Sequence, residues 1–168
     1  MDKRSRKPNS GPGDREKREF DQKVVEVRRV TRVVAGGKRM RFRALVVIGD
    51  RKGRVGMGLK KGLDVAESVN KAINQAKKSM VTVPLVNDTL PHGMKVKYKS
   101  SQLMLMPARP GSGVIAGGAI RSVMELAGVK NVVSKMLGGS NHVNNIKAVF
   151  KAFTQMRSKE QMKALRGV

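Results

Sequence analysis

Between Arg28 and Arg43 the chain carries seven cations and no acid: Arg28, Arg29, Arg32, Lys38, Arg39, Arg41 and Arg43. A guanidinium binds phosphate through a planar fork of donors, so this run suits a polyanion better than a small molecule. Ala35-Gly36-Gly37 interrupts the run, and glycine lets a backbone come close to a phosphate. The alternative is a solvated edge strand, since Lys and Arg also blunt edges. Mere solvation tolerates Glu as well as Lys, and none is present. The expected chemistry is phosphate contact by a hairpin.

Two other spacings invite chemistry and do not carry it. Gly111-Ser112-Gly113-Val114-Ile115-Ala116-Gly117-Gly118 precedes a helical pattern, where amides and the helix dipole favour an anion. It lacks the Gly-Lys-Ser/Thr of a P-loop and the acid some 20 positions on that a dinucleotide site needs. Beyond Met80 the only acids are Asp88, Glu125 and Glu160, too scattered to hold magnesium for phosphoryl transfer. Gly53-Arg54-Val55-Gly56-Met57-Gly58 contains G-x-x-G, but it lies in a strand pattern and not between two helices. It is expected to serve close strand packing or a bulge. His92 and His142 stand apart, and the chain has no Cys. No catalytic residue, metal ligand or cofactor is expected.

The elements that must position the cations are legible. Val24–Val34 is rich in β-branched residues; Met40, Phe42, Ala44, Val46 and Ile48 alternate on one face; Val55, Met57 and Leu59 alternate again. Gly36-Gly37 and Asp50–Gly53 are the turns, so antiparallel hairpins are expected. Asp64 and Glu67 form a capping-box pattern ahead of a helical stripe, Val65, Val69, Ala72, Ile73, Ala76 and Met80. Lys71, Gln75 and Lys78 take another face. Val83–Leu90, with prolines at 84 and 91, is expected to be a linker.

The second half opens with Lys95–Lys99 and Ser101–Met106 as paired strands. Pro107–Gly113 is a loop, and Ile120, Val123, Met124 and Ala127 mark a helix closed by Gly128. Val129–Met136 is a strand, Ile146, Val149, Phe150 and Phe153 mark a final strong helix, and Ser158–Arg166 adds a short helical turn. The fold class is α+β. A three-stranded antiparallel sheet with one helix is followed by a β-α-β-α unit. The expected boundaries are 1–20, a disordered basic arm; 21–86; 91–157; and 158–168, a tail. The five aromatics fall mostly on core stripes, so base stacking is not the main mode. The eleven Met are read as adaptable core filler.

The net charge of +24 fits a chain neutralised by a large polyanion, through release of condensed counterions. No apolar run approaches the ~20 residues of a membrane span. Met1–Phe20 has no hydrophobic core and carries Asp2, Asp14, Glu16 and Glu19, unlike signal or transit peptides. A cytoplasmic double-stranded RNA binder, with no membrane role, is the expectation. Free-standing chaperones and regulators of double-stranded RNA share it.

Longer stretches narrow it. Gly36-Gly37, Phe42, Ala44-Leu45-Val46-Val47-Ile48-Gly49-Asp50 and Gly53–Gly58 strongly resemble the bacterial small-subunit ribosomal protein five family. So do Pro107-Ala108, Gly111–Ala119 with Arg121, and Glu125-Leu126-Ala127-Gly128-Val129. The resemblance runs from about Val24 to Phe153. It implies a double-stranded-RNA-binding-like N-terminal domain and a C-terminal β-α-β-α domain of the type shared with some kinases. It also implies a structural role in assembly and accurate decoding. The matching RNA positions are Arg28, Arg29, Thr31, Arg32, Gly36, Gly37 and Lys38, beside the spectinomycin pocket near the subunit's neck. Arg39, Arg41, Arg43 and Arg54 join them as candidate contacts. Gly113 and Arg121 match an interface with small-subunit protein four, near the channel by which messenger RNA enters. Protein eight is the other neighbour implied. The chain departs from the family at Ala35 (commonly Lys), at Lys60-Lys61-Gly62 (usually Gly-Lys-Ala) and at His142 (usually Pro).

Overall fold

A computed structural model describes residues 19–167; of the expected basic arm, 1–20, all but Glu19 and Phe20 lies outside it. The first half is a sheet of four antiparallel strands in the order β1 (Asp21–Val34), β2 (Gly37–Gly49), β3 (Arg54–Gly62), β4 (Met80–Thr82). The helix α1 (Val65–Lys78) lies against it. Three strands were expected. The fourth follows at once from the helix, pairing Val55 with Val81, and takes Met80, the last residue of the expected helical stripe. Three residues are too few for their alternation to show.

Both long strands continue past their apolar patterns, because a hairpin ladder needs only backbone pairing. Arg28 lies opposite Arg43, and Arg32 opposite Arg39. The capping box is altered rather than missing. Asp64 Oδ1 accepts from the Val65 amide at 2.7 Å, and Glu67 reaches back to the Leu63 amide at 2.7 Å.

On β2 the apolar run Ala44–Ile48 is buried on both faces. Ala44, Val46 and Ile48 pack with Ala72 and Ala76 of α1, while Leu45 and Val47 join the core of the second half. The glycines of the G-x-x-G segment admit α1: a Cβ on Gly58 would lie 1.9 Å from the Ala72 carbonyl oxygen, and one on Gly56 2.4 Å from that of Ala76. Close packing is thus what the segment serves, but of a helix on the strand and not of strand on strand or a bulge.

The second half is a mixed sheet in the order β5 (Met94–Tyr98), β6 (Ser101–Pro107), β8 (Val132–Met136), β7 (Val114–Ile115), with β7 parallel to β8. Helices α2 (Gly118–Ala127) and α3 (His142–Gln155) cover one face, and a short α4 (Lys159–Arg166) follows. Ile120, Val123, Met124 and Ala127 are fully buried, as their spacing implied. Gly128 closes α2 in the left-handed conformation.

The halves share one core. Leu45, Val47 and Val55 belong to the same cluster as Leu105, Ile120 and Phe153. Between them, Val83–Leu90 is a packed turn and not a free tether. Val83 and Leu90 are buried, Val86 and Thr89 bond to each other, and the Asp88 carbonyl accepts from the amides of Lys130 and Asn131. Prolines mark such a segment as irregular but do not reveal whether it is docked.

The α1 seat yields a test. Gly58→Ala forces backbone against backbone and is expected to cost about 3 kcal/mol or more, roughly 6–12 °C in Tm for a chain of this size. Gly118→Ala meets no protein atom within 4 Å at the start of α2. It should be neutral or gain up to about 1 kcal/mol. Equal melting temperatures for the two variants would show that the seat is soft.

Candidate nucleic-acid interface

A strand alternates its side chains, and residues opposite each other in an antiparallel pair share a face. The register therefore sorts the cations of the β1–β2 hairpin. Arg28, Arg32, Arg39, Arg41 and Arg43 stand on one face, and Lys61 of β3 joins them opposite Arg43. Arg29, Thr31 and Lys38 stand on the other. Five of the seven cations of the run thus converge. Val30, Val34, Arg32, Arg39, Arg41 and Lys61 line a groove of about 500 Å³ on the arginine face. Sequence reading missed Lys61 as a member. Its signal was the Lys60-Lys61 pair at the end of β3, whose faces only the register distinguishes.

The tip is a two-residue turn at Ala35-Gly36. Gly36 sits at φ +85°, and a Cβ there would meet nothing within 4 Å. Conformation, not crowding, requires the glycine. The foot of the face is tied to the second half. The largely buried Glu26 carboxylate accepts from Arg28 Nε and lies 3.8 Å from His142 Nδ1, on the first residue of α3. Asn141 caps that helix, accepting from the Val143 amide at 3.0 Å. His142 thus occupies the first helical position, which proline also suits, so the family departure leaves the turn intact.

Arg54 lies at the far end of β2, roughly 40 Å from the tip at the rise of a strand. Its Nε donates to Asp50 Oδ2 at 2.7 Å, and its guanidinium stands 5.5 Å from the Phe20 ring centroid. Burial works against the Asp50 charge, but the Arg54 fork and the amides of Lys52 and Arg54 outweigh it. They hold the carboxyl below its ordinary range. Arg54 therefore closes the β2–β3 turn.

The glycine loop of the second half is occupied from within. Asn131 Oδ1 accepts from the amides of Gly111 (3.0 Å) and Gly113 (3.2 Å), and Gly113 adopts φ +70°. Arg121 is exposed on α2, its Nη2 donating to the Val114 carbonyl at 2.9 Å. Gly113 and Arg121 thus meet around β7, and Arg121 lines one hollow with Val25 and His142 near the foot of the hairpin. Among the described residues, no three His, Cys, Asp or Glu side chains cluster as a metal site. Among the same residues, no helix is long and apolar enough to cross a membrane.

Comparison with known proteins places both halves. The family model described as "Ribosomal protein S5, N-terminal domain" matches residues 20–84, and that described as "Ribosomal protein S5, C-terminal domain" matches residues 96–166. A protein of Persephonella marina named "Small ribosomal subunit protein uS5" is 50% identical over 150 residues, which cover 89% of this chain and 77% of that protein.

The sorted faces predict unequal mutants. Arg32, Arg39 and Arg41 changed together to Gln should sharply weaken binding to a double-stranded RNA probe. The slope of log affinity against log salt should fall by about 3. The same change at Arg29, Lys38 and Lys60, on the other face, removes equal charge and should cost clearly less. Equal losses would mean that bulk charge, not a face, binds RNA.

Proposed function

This chain belongs to the ribosomal protein S5 family, and from that premise we propose how its surfaces serve the small ribosomal subunit. The protein is a structural constituent of that subunit, working in translation within the cytoplasmic ribosome, and it binds ribosomal RNA and other ribosomal proteins. A free-standing chaperone or double-stranded RNA regulator is not favoured, since both halves match the family.

In our reading the arginine face of the β1–β2 hairpin grips the phosphates of a ribosomal RNA helix. The observation that carries this is the register, which gathers Arg28, Arg32, Arg39, Arg41 and Arg43 on one side with no acid between them. Gly36 and Gly37 let the tip approach the backbone, while Arg29, Thr31 and Lys38 serve the opposite edge. Arg54 contributes through the turn it holds and its half-exposed guanidinium. Around β7, Gly113 and Arg121 meet small-subunit protein four, protein eight is a further neighbour, and messenger RNA passes close by where it enters. The role is structural, with no catalytic step.

Arg121→Glu tests the second surface. The side chain is exposed on α2 beside fully buried Ile120, so the change opens no cavity and loses one bond, to the Val114 carbonyl. Arg121→Gln serves as the neutral reference. Charge reversal should leave subunit assembly normal yet raise misreading in translation, because it weakens contact with a neighbouring protein. A wild-type error rate in normally assembled subunits would remove Arg121 from the decoding role.

A further inference from the structure

Among the described residues, the C-terminal sheet is covered by helices on one face only. Register places Met104, Met106, Val133 and Ile115 together on the other, with Met106 43% and Ile115 53% exposed. These methionines are not core filler. Lys95 and Lys135 flank Met104 across the strands, and Lys97 follows on the same side. Within the four strands, neither an acid nor an arginine stands on this face.

We propose that this bare sheet face docks a neighbouring protein whose contact surface is aliphatic at its centre and ringed by carboxylates. The proposal rests on the chain being built into the subunit beside other proteins. An apolar patch spanning three strands marks an interaction surface, and an apolar centre within a charged rim is how protein interfaces are built. Charge selects the partner, because the three charged groups on this face are lysines, with Gln102 the uncharged polar member, and their complement is an anion. Chemistry then selects protein over RNA. Phosphates set on Met104, Met106, Val133 and Ile115 would be desolvated without a donor. The face offers neither the aromatic platform that stacks bases nor the guanidinium forks that crowd the hairpin. It also borders Gly113, which immediately precedes β7.

The chain has no Cys, so Met106→Cys gives the full-length protein a single thiol for a benzophenone probe. In intact small subunits the probe should cross-link to protein, and mass spectrometry of the joined peptide should show Asp or Glu among aliphatic residues. Changing Lys95, Lys97 and Lys135 together to Glu should cut that cross-link about tenfold, and converting the peptide's acids to Lys should restore it. Cross-linking to RNA overturns the proposal. So does a Met106→Cys thiol that is alkylated as fast in the subunit as in the free protein, or a yield indifferent to the charge reversal. A second probe at Ala35, on the hairpin tip, keeps the two readings apart. If it still joins ribosomal RNA, only the docking idea has failed; if the labelled chain does not enter subunits, the functional reading has failed.

Discussion

The C-terminus of α2 seats directly on the turn between β2 and β3, backbone against backbone. The Arg51 amide donates to the Leu126 carbonyl and the Gly53 amide to that of Ala127, both at 3.0 Å. Those carbonyls end a helix and have no partners within it, while the turn amides would otherwise be lost to the ladder. Each end satisfies the other. The approach is so close that a Cβ on Gly128 would lie 2.1 Å from the Arg51 carbonyl oxygen, and its φ of +85° suits glycine for a second reason. With that seat made, Leu45, Val47 and Val55 are covered by the second half, and β2 becomes a strand buried on both faces.

A chain of net charge +24 opposes its own compaction, so the placing of its charges follows from the same constraint. The apolar half of β2 anchors the molecule, and its charged half projects with β1 as a hairpin beyond the core. The few acids close turns and joints. Asp50 holds Arg54, Glu125 meets Lys23 at 3.1 Å, Asp21 meets Arg51 at 2.7 Å, and Asp88 meets Lys130 at 3.0 Å. The last three are exposed pairs and add little stability singly. Glu26 reaches the foot of the arginine face at Arg28, but among the described residues no carboxylate pairs with Arg32, Arg39, Arg41 or Arg43, where a phosphate needs unopposed donors.

Much of this was legible from residue order alone. The hairpins, α1, α2 and α3 followed from alternation, capping residues and helical stripes, because local periodicity reports which side of an element is buried. What escaped depends on contacts distant in sequence. The run Ala44–Ile48 signalled a strand buried twice, but nothing local names α2 as the second cover. β4 and β7 are too short to show a period, and Val83–Leu90 was docked by partners some 40 residues on. At the site, the cluster of cations was visible, whereas its division into two faces came from the β1–β2 register. The inclusion of Lys61 came from the β2–β3 register. Asn131 gave no hint that it would fill the glycine loop, since a lone polar residue before a strand has many uses.

The two halves form one block through their shared core, so that the RNA face and the protein faces are held at a fixed separation. Spin labels on a Met40→Cys, Thr154→Cys variant, one on the hairpin and one on α3, measure that separation in a chain with no other thiol. One narrow distance distribution is predicted, the same in the free protein and in assembled small subunits. A broad or two-peaked distribution in the free protein that narrows only on assembly would contradict it.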